Sequence, residues 1–278
     1  MFFLQLRNEI WKLFGKKRTY IGFGMFLIAQ NIIIVVHRLP RVRHQISQLL
    51  EHNGFMVERY ISVLTISTLM VSLMALTLMP LYTALVGGDL VAKEAEDGTL
   101  RMILSRPISR VRLLLLKWLT GAIFSFLLVM SLGLFGLIFT SFWFPWGDLF
   151  TLPGVLSFGV FSAARGLECY VIAHCFMVPS ACTMLTLAFM FSCFNMKPAA
   201  ATILALSIMF ISMIMQDIPF FVDYRPWFIT YDMGVWRDVF AEKIPWWKVG
   251  EAFSFLLAYN VSFLVVGCTA FQMRDIKS

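Results

Sequence analysis

The sequence predicts an all-α integral membrane protein with six transmembrane helices in a single membrane domain over residues 1–278. Hydrophobic residues make up 59% of the chain and charged residues only 14%, against about 25% charged in ordinary soluble domains. Long runs also lack any Asp, Glu, Lys or Arg. These runs are 19–36, 60–88, 118–147, 169–196, 198–216 and 252–273. Each can hold a membrane-crossing helix of about 18–20 residues, which satisfies its own backbone hydrogen bonds in lipid.

The elements follow in chain order from local patterns. Residues 2–18 place apolar side chains on one face and polar side chains on the other at helical spacing, which predicts an amphipathic helix on the inner leaflet. The spans themselves are predicted at 20–37, 60–88, 113–141, 169–194, 198–216 and 252–272. A cytoplasmic segment, 89–112, joins the second and third spans. An external segment, 217–251, mixes four tryptophans with three prolines, which is typical of helices at the membrane interface or re-entering it.

One short apolar run is harder to interpret. Residues 149–164 form only 16 uncharged positions and include Pro153, so we interpret them as a helix lying in the interface or dipping into it. The stretch around it, 142–166, is more aromatic and apolar than expected, with Trp143 and Trp146, and leaves the architecture between the third and fourth spans open.

Basic residues indicate the orientation. Of the 23 Lys and Arg residues, 14 fall on the side that holds both termini, so we expect that side to be cytoplasmic. Arg38, Arg41 and Arg43 disagree, because they follow the first span on the external side. The net charge of +7 is explained by anionic headgroups and requires no nucleic acid. We expect an uncleaved first span and residence in the bacterial inner membrane.

The segment between the second and third spans has a distinctive order of charges. Four acidic residues precede Gly98, which stops one helix, and Thr99 can cap the next. Pro107 breaks that second helix, and Arg110 leads into the third span at headgroup depth. The pattern predicts a short, rigid helix-turn-helix with an acidic tip that projects into the cytoplasm.

This segment also carries a family resemblance. The run from Asp89 to Lys117, with Gly98-Thr99-Leu100 and Pro107-Ile108-Ser109-Arg110 inside it, resembles the signature of permease subunits of ABC-2 type transporters. The amphipathic helix before the first span is similar to the connecting helix of that family. Ile244-Pro245-Trp246 and the ending Phe271-Gln272-Met273-Arg274-Asp275-Ile276 are also similar to the corresponding family segments.

The resemblance implies a mechanism for the chain. A second permease subunit, in a homodimer or a heterodimer, would complete the translocation pathway of an exporter. A separate cytoplasmic ABC ATPase dimer would bind ATP and Mg and contact the coupling helix between spans two and three. The residues implied in that ATPase coupling are Asp89, Glu94, Glu96, Gly98, Thr99, Leu100, Pro107 and Arg110. Residues 217–251 would form re-entrant helices that close the outer mouth.

The motifs that the sequence lacks indicate which functions a partner subunit would supply. The chain has no G-x-x-x-x-G-K-[ST], so ATP hydrolysis is expected from the partner, with no catalytic residue, metal ligand or cofactor in this chain. Spans rich in Phe, Leu and Met with almost no charge favour a lipid-like or amphipathic substrate over a hydrated ion. Membrane lipids are the remaining expected partners.

Other interpretations remain open at this point. His174, Cys175, Met177, Cys182 and Met184 fall in one span and suit copper(I) or another soft metal, although sulfur side chains also fill gaps between helices. An intramembrane enzyme is the weaker rival, because no H-E-x-x-H or G-x-S-x-G is present. A non-ABC channel would be distinguished by the absence of a co-purifying ATPase.

Overall fold

The computed structural model describes residues 2–52, 60–105, 108–151 and 159–274, and these residues are mainly helical. The helices are α1 Phe2–Phe14, α2 Lys17–Arg38, α3 Pro40–His52, α4 Val63–Leu76, α5 Leu78–Glu96, α6 Thr99–Leu104, α7 Arg110–Ser141, α8 Ala163–Cys193, α9 Pro198–Asp217, α10 Ile229–Met233 and α11 Trp246–Met273. Two 3-10 helices, Pro219–Trp227 and Val235–Phe240, flank α10, and two strands, β1 Leu149–Thr151 and β2 Gly159–Phe161, follow α7.

Among these helices, five are long and apolar enough to cross a membrane. They are α2, α7, α8, α9 and α11. The consecutive helices α4 and α5 pass the same test together, which gives a sixth span if the bent pair is counted as one. The chain is therefore a helical membrane protein with five or six candidate spans. The detailed six-span layout stays a prediction.

The second predicted span is broken at Thr77. Helices α4 and α5 meet there at an angle of 43°. Pro80 lies in the first turn of α5, where a missing backbone N–H costs no intrahelical hydrogen bond. The break separates a largely buried helix, α4, from a second helix, α5, that runs on past the predicted end of the span at residue 88 to Glu96. The first part of the predicted cytoplasmic segment, up to Glu96, is therefore continuous with the second helix of the span.

Helix α8 is the central element of the bundle, and α5, α7, α9 and α11 pack around it. Small residues let the backbones approach. A side chain added at Gly87 of α5 would collide with the backbone carbonyl of Leu185 in α8. Polar side chains also join the helices: Asn260 of α11 donates to Thr183 Oγ1 at 2.8 Å and accepts from Thr186 at 2.6 Å. Asn260 thus has the interhelical hydrogen bonds expected of a polar group in lipid.

The interpretation of 149–164 as an interfacial helix is wrong for the residues that the structure describes. β1 and β2 pair antiparallel, with Leu149 opposite Phe161 and Thr151 opposite Gly159. Helix α8 begins at Ala163, whose backbone N–H donates a hydrogen bond to Asp148 Oδ1 at 2.9 Å. The first amide of the helix is therefore capped by a side chain. Pro153 lies outside the described residues. A short β-hairpin therefore links the third and fourth predicted spans.

The segment before α11 is a compact chain of short helices. The two 3-10 helices and α10 lie between α9 and α11, with Trp236 buried and Trp227 exposed. Ser212 of α9 contacts Thr230 at 2.9 Å, and Ser180 of α8 donates to the Met233 carbonyl at 3.0 Å. These contacts hold the segment against the middle of α8 and the C-terminal part of α9.

Candidate functional site

The candidate site is the turn at Asp97 and Gly98, which follows α5 and lies beyond the predicted end of the second span at residue 88. The N–H groups of Asp97 and Gly98 donate back to the carbonyls of Lys93 and Ala95, at 2.9 and 3.3 Å. Gly98 then adopts a φ of +72°, a left-handed conformation that glycine tolerates far better than other residues. Helix α6 starts directly afterwards at Thr99, whose hydroxyl donates to the Glu94 carbonyl at 3.3 Å. The described part of the segment is a tight helix-turn-helix.

A group of four charges, three of them largely buried, lies behind this turn. Lys117, in the third turn of α7, contacts Glu94 at 2.7 Å and Glu9 of α1 at 2.9 Å. Lys12 contacts Glu9 at 2.6 Å and Glu94 at 3.8 Å. Only 2% of the Lys117 side chain is exposed, so its ammonium depends on these carboxylates for the solvation that water would give. We call these four residues the charge cluster.

The charge cluster joins three elements that are distant in sequence. Glu9 and Lys12 belong to the amphipathic helix α1, Glu94 to the last turn of α5, and Lys117 to α7. Burial alone would raise the pKa of Glu9, but the ammonium groups of Lys117 and Lys12 outweigh burial and lower it. Glu9 is therefore held ionised, and the three helices are fixed together at the end of the bundle that carries the turn.

The acidic residues predicted as one tip have different surroundings. Glu94 is only 13% exposed and belongs to the charge cluster, whereas Glu96 and Asp97 are 44% and 51% exposed. Lys93 pairs with both exposed acids, at 2.8 and 3.2 Å, and they raise its pKa. Asp89 lies further back and pairs with Arg18 of α2 at 3.1 Å. Only Glu96 and Asp97 of these four acids face outward.

The remaining predicted coupling residues make contacts inside the chain or lie outside the described part. Leu100 is buried in the apolar cluster with Leu13 and Leu113. The Arg110 guanidinium donates to the carbonyls of Gln272 and Arg274 at 3.2 and 2.9 Å, at the C-terminal end of α11, where a cation is favoured. Pro107 lies outside the described residues.

Sequence reasoning did not assign a role to Glu9, Lys12 or Lys117 within the site. One signal could have found Lys117: a lysine seven residues into a long apolar helix requires a buried partner. The partner itself could not be identified from the sequence, because Glu9 is 108 residues away. The position of Glu9 depends on how α1 packs against α7.

A large groove opens beside the turn, between α2, α5 and α9. Its volume is about 660 Å³. The walls formed by the helices are apolar and include Ile21, Leu81 and Ile203, whereas the end near the turn carries three cations and two carboxylates: Arg18, Lys93, Lys197, Asp89 and Glu96. Arg18 pairs with Asp89 and Lys93 pairs with Glu96. The groove therefore combines a hydrocarbon-like body with an end that carries charges of both signs.

The residues suggested for soft-metal binding have different surroundings in the structure. No group of three or more His, Cys, Asp or Glu side chains there is close enough to hold an ion. His174 contacts the Tyr170 carbonyl through Nδ1 at 2.7 Å, and its ring lies 4.3 Å from the Tyr170 ring at an angle of 46°. Cys175 is exposed on the same helix, whereas Met177 and Met184 are buried.

Comparison with known families gives one match. The model described as "ABC-2 family transporter protein" matches residues 17–223, about three quarters of the chain. The matched range includes the turn, the groove and two of the four charge-cluster residues, Glu94 and Lys117. No curated protein matches the chain.

Proposed function

The chain belongs to the ABC-2 family of transporter proteins, and from this premise we propose that it is the permease subunit of an ATP-driven exporter. It would form the translocation pathway with a second permease subunit, identical or not. A separate cytoplasmic ABC ATPase dimer would bind ATP and Mg. We place the chain in a bacterial inner membrane with both termini cytoplasmic, on the side of the turn.

The observation that carries this proposal is the continuity of α5. One helix of 19 residues, Leu78–Glu96, runs from the break at Thr77 inside the bundle to the exposed acidic turn. At 1.5 Å per residue it spans about 28 Å. A push on the turn by a closing ATPase would reach the bundle interior without crossing a flexible loop. The charge cluster would carry the same movement to α1 and α7.

We assign the ATPase contact to Glu96 and Asp97, which are exposed at the turn. Gly98 and Thr99 shape the turn that presents them. Asp89, Glu94, Leu100 and Arg110 would act by positioning, because their side chains contact other helices of the same chain. Pro107 stays a predicted coupling residue.

The groove between α2, α5 and α9 supports a lipid-like or amphipathic substrate. An acyl chain would pack on its apolar walls, and a polar head would meet the charges of both signs at the end near the turn, among them Lys197 and Glu96. Exposed apolar side chains on α2 and α9, such as Ile28 and Ile211, are available to lipid or to the second permease subunit. Export is the direction expected of the family.

The turn is tested by charge reversal. Glu96→Lys, in the full chain expressed with its native partners, is expected to lower both the amount of co-purifying ATPase and its ATP hydrolysis. Loss of one charge-assisted contact corresponds to roughly a tenfold loss of affinity. The measurements are ATPase recovery by quantitative mass spectrometry and phosphate release by the purified complex.

The matched control is Glu168→Lys. Glu168 is 55% exposed and pairs with a basic residue three positions away, as Glu96 does, but it lies on α8 near the β-hairpin. Its reversal is expected to leave ATPase recovery unchanged. Equal recovery with Glu96→Lys and Glu168→Lys would contradict the assignment of the turn as the ATPase contact.

A further inference from the structure

A second cavity lies at the opposite end of the bundle from the turn. It has a volume of about 370 Å³ and is lined by the C-terminal end of α2, by α3 and by the residues that follow α7. Because α2 and α7 both start near the turn and end here, the cavity and the turn are at opposite membrane faces. Its basic lining includes Arg38 and Arg43, two of the arginines that disagree with the charge asymmetry of the sequence.

The cationic groups of the cavity have no carboxylate partner in the described part of the chain. No ion pair there involves Arg38 or Arg43. The Arg38 guanidinium instead lies over the Trp143 ring, 4.3 Å from its centroid, which holds the side chain in place but leaves its N–H groups available. Two cations facing one cavity repel each other, and a bound anion would relieve that repulsion.

His37 contributes a third polar group. Its Nδ1 lies 2.8 Å from the Ile33 carbonyl, and a carbonyl can only accept, so Nδ1 carries the hydrogen. Nε2 is the remaining ring nitrogen. The ring is thus held by its own helix on the wall of the cavity that also holds the two arginines.

The walls are fixed by backbone contacts. The N–H groups of Trp143 and Phe144 both donate to the Thr140 carbonyl at 3.0 Å, and the Pro145 carbonyl accepts from the Val63 N–H at 3.0 Å. Phe144 also packs against the buried residues Tyr60, Ile61 and Phe150. These contacts make the cavity a built feature, since the loop after α7 is anchored to α4 and β1.

We infer that this cavity binds a phosphate group through Arg38 and Arg43, with Trp143 as its apolar wall. Guanidinium groups donate paired N–H bonds that match phosphate oxygens, and a cavity at headgroup depth has weaker dielectric screening than bulk water. The phosphate belongs either to an anionic phospholipid headgroup or to a soluble phosphate. The site is separate from the ATPase contact, and its binding does not depend on that coupling.

The test uses the purified full chain in mild detergent with two probes. Phosphatidylglycerol binding is followed by native mass spectrometry, and inorganic phosphate binding by equilibrium dialysis with radiolabel. Arg43→Gln and Arg38→Gln are each expected to weaken binding of the preferred probe about tenfold, the loss of one charge-assisted contact. Arg41→Gln is the matched control, because Arg41 lies on α3 with Arg43 but does not line the cavity.

The outcomes separate the two sources. Saturable binding of phosphatidylglycerol alone identifies a lipid headgroup, and saturable binding of inorganic phosphate identifies a soluble phosphate. Either result supports the inference if it is sensitive to Arg43→Gln and insensitive to Arg41→Gln. The inference is overturned if neither probe binds, or if Arg41→Gln weakens binding as much as Arg43→Gln. Size-exclusion profiles identical to that of the unmodified chain establish that the variants are folded.

Discussion

At the scale of single residues, Glu94 and Glu96 show what the sequence could and could not predict. The sequence correctly marks the region as a helix with acids before Gly98. Two residues along a helix are separated by about 200°, so the two side chains face nearly opposite directions. Which of them meets Lys117 depends on how α1 and α7 pack around α5. The sequence alone therefore predicts one acidic tip, although Glu94 and Glu96 have different environments in the structure.

Asp232 is a residue whose environment only the structure reveals. It lies on α10, is almost completely buried, and its Oδ2 has no hydrogen-bond partner within the described residues. Burial, with the nearby Glu251 carboxylate as a second cause, raises the pKa of Asp232 to about 7. The protonated form therefore fits the folded protein, and the ionised form is costly there.

Asp232→Asn tests this environment through the pH dependence of stability. Because the folded-state pKa is raised, the favourable contribution of Asp232 is complete below pH 3.8 and is lost as pH rises through about 7. The variant is expected to match the unmodified chain near pH 4 and to unfold at a higher temperature at pH 8, by on the order of 3 °C. The measurement is thermal unfolding of the purified protein at both pH values.

Asp223→Asn is the control for this effect. Asp223 lies in the same external segment and is exposed. Its replacement is expected to leave the unfolding temperature unchanged at both pH values. A gain for Asp232→Asn that is equally large at pH 4 and pH 8 would contradict the account of Asp232.

At the scale of elements, the charge cluster explains how an amphipathic helix is held to the bundle. Lys117→Met removes the cation that lies between Glu9 and Glu94, and both carboxylates stay largely buried. Breaking a buried ion pair from one side costs about 3 kcal/mol or more. We expect a matching drop in the free energy of unfolding in denaturant. Adding Glu94→Gln to Lys117→Met should restore part of this lost free energy, because it removes the carboxylate charge that Lys117 had paired.

The control for Lys117→Met is Lys243→Met, at an exposed lysine with no ion pair among the described residues. Its effect is expected to stay within about 0.5 kcal/mol. Equal stabilities for Lys117→Met and Lys243→Met would refute the role of the charge cluster. So would a double variant, Lys117→Met with Glu94→Gln, that is less stable than Lys117→Met alone.

The elements differ in how well their sequences predict them. Long apolar runs predict helices reliably, because only a helix of that length can bury its backbone in lipid. The β-hairpin was missed because all three residues of β1 are buried, so the strand has no alternation of polar and apolar positions. A short, wholly apolar run looks the same whether it is a strand or a helix. The distinction here comes from pairing with β2 and packing on α4.

At the scale of the whole molecule, the two ends of the bundle have different chemistry. One end carries the exposed acids of the turn and the charge cluster, and the other carries the basic cavity around Trp143. Composition and charge-free runs suffice to predict a helical membrane protein, and the matched family supports a transporter subunit. The bend at Thr77 and the central place of α8 come from interhelical packing, which a hydropathy pattern does not encode.

The central claim is that this permease works with a separate ATPase. The most direct test is purification of the full chain from its native membrane in mild detergent, with quantitative identification of the proteins that remain bound. The account predicts a nucleotide-binding ABC ATPase in near-equal amount to the permease. Recovery of the chain alone, or with an unrelated complex, would contradict the proposed coupling.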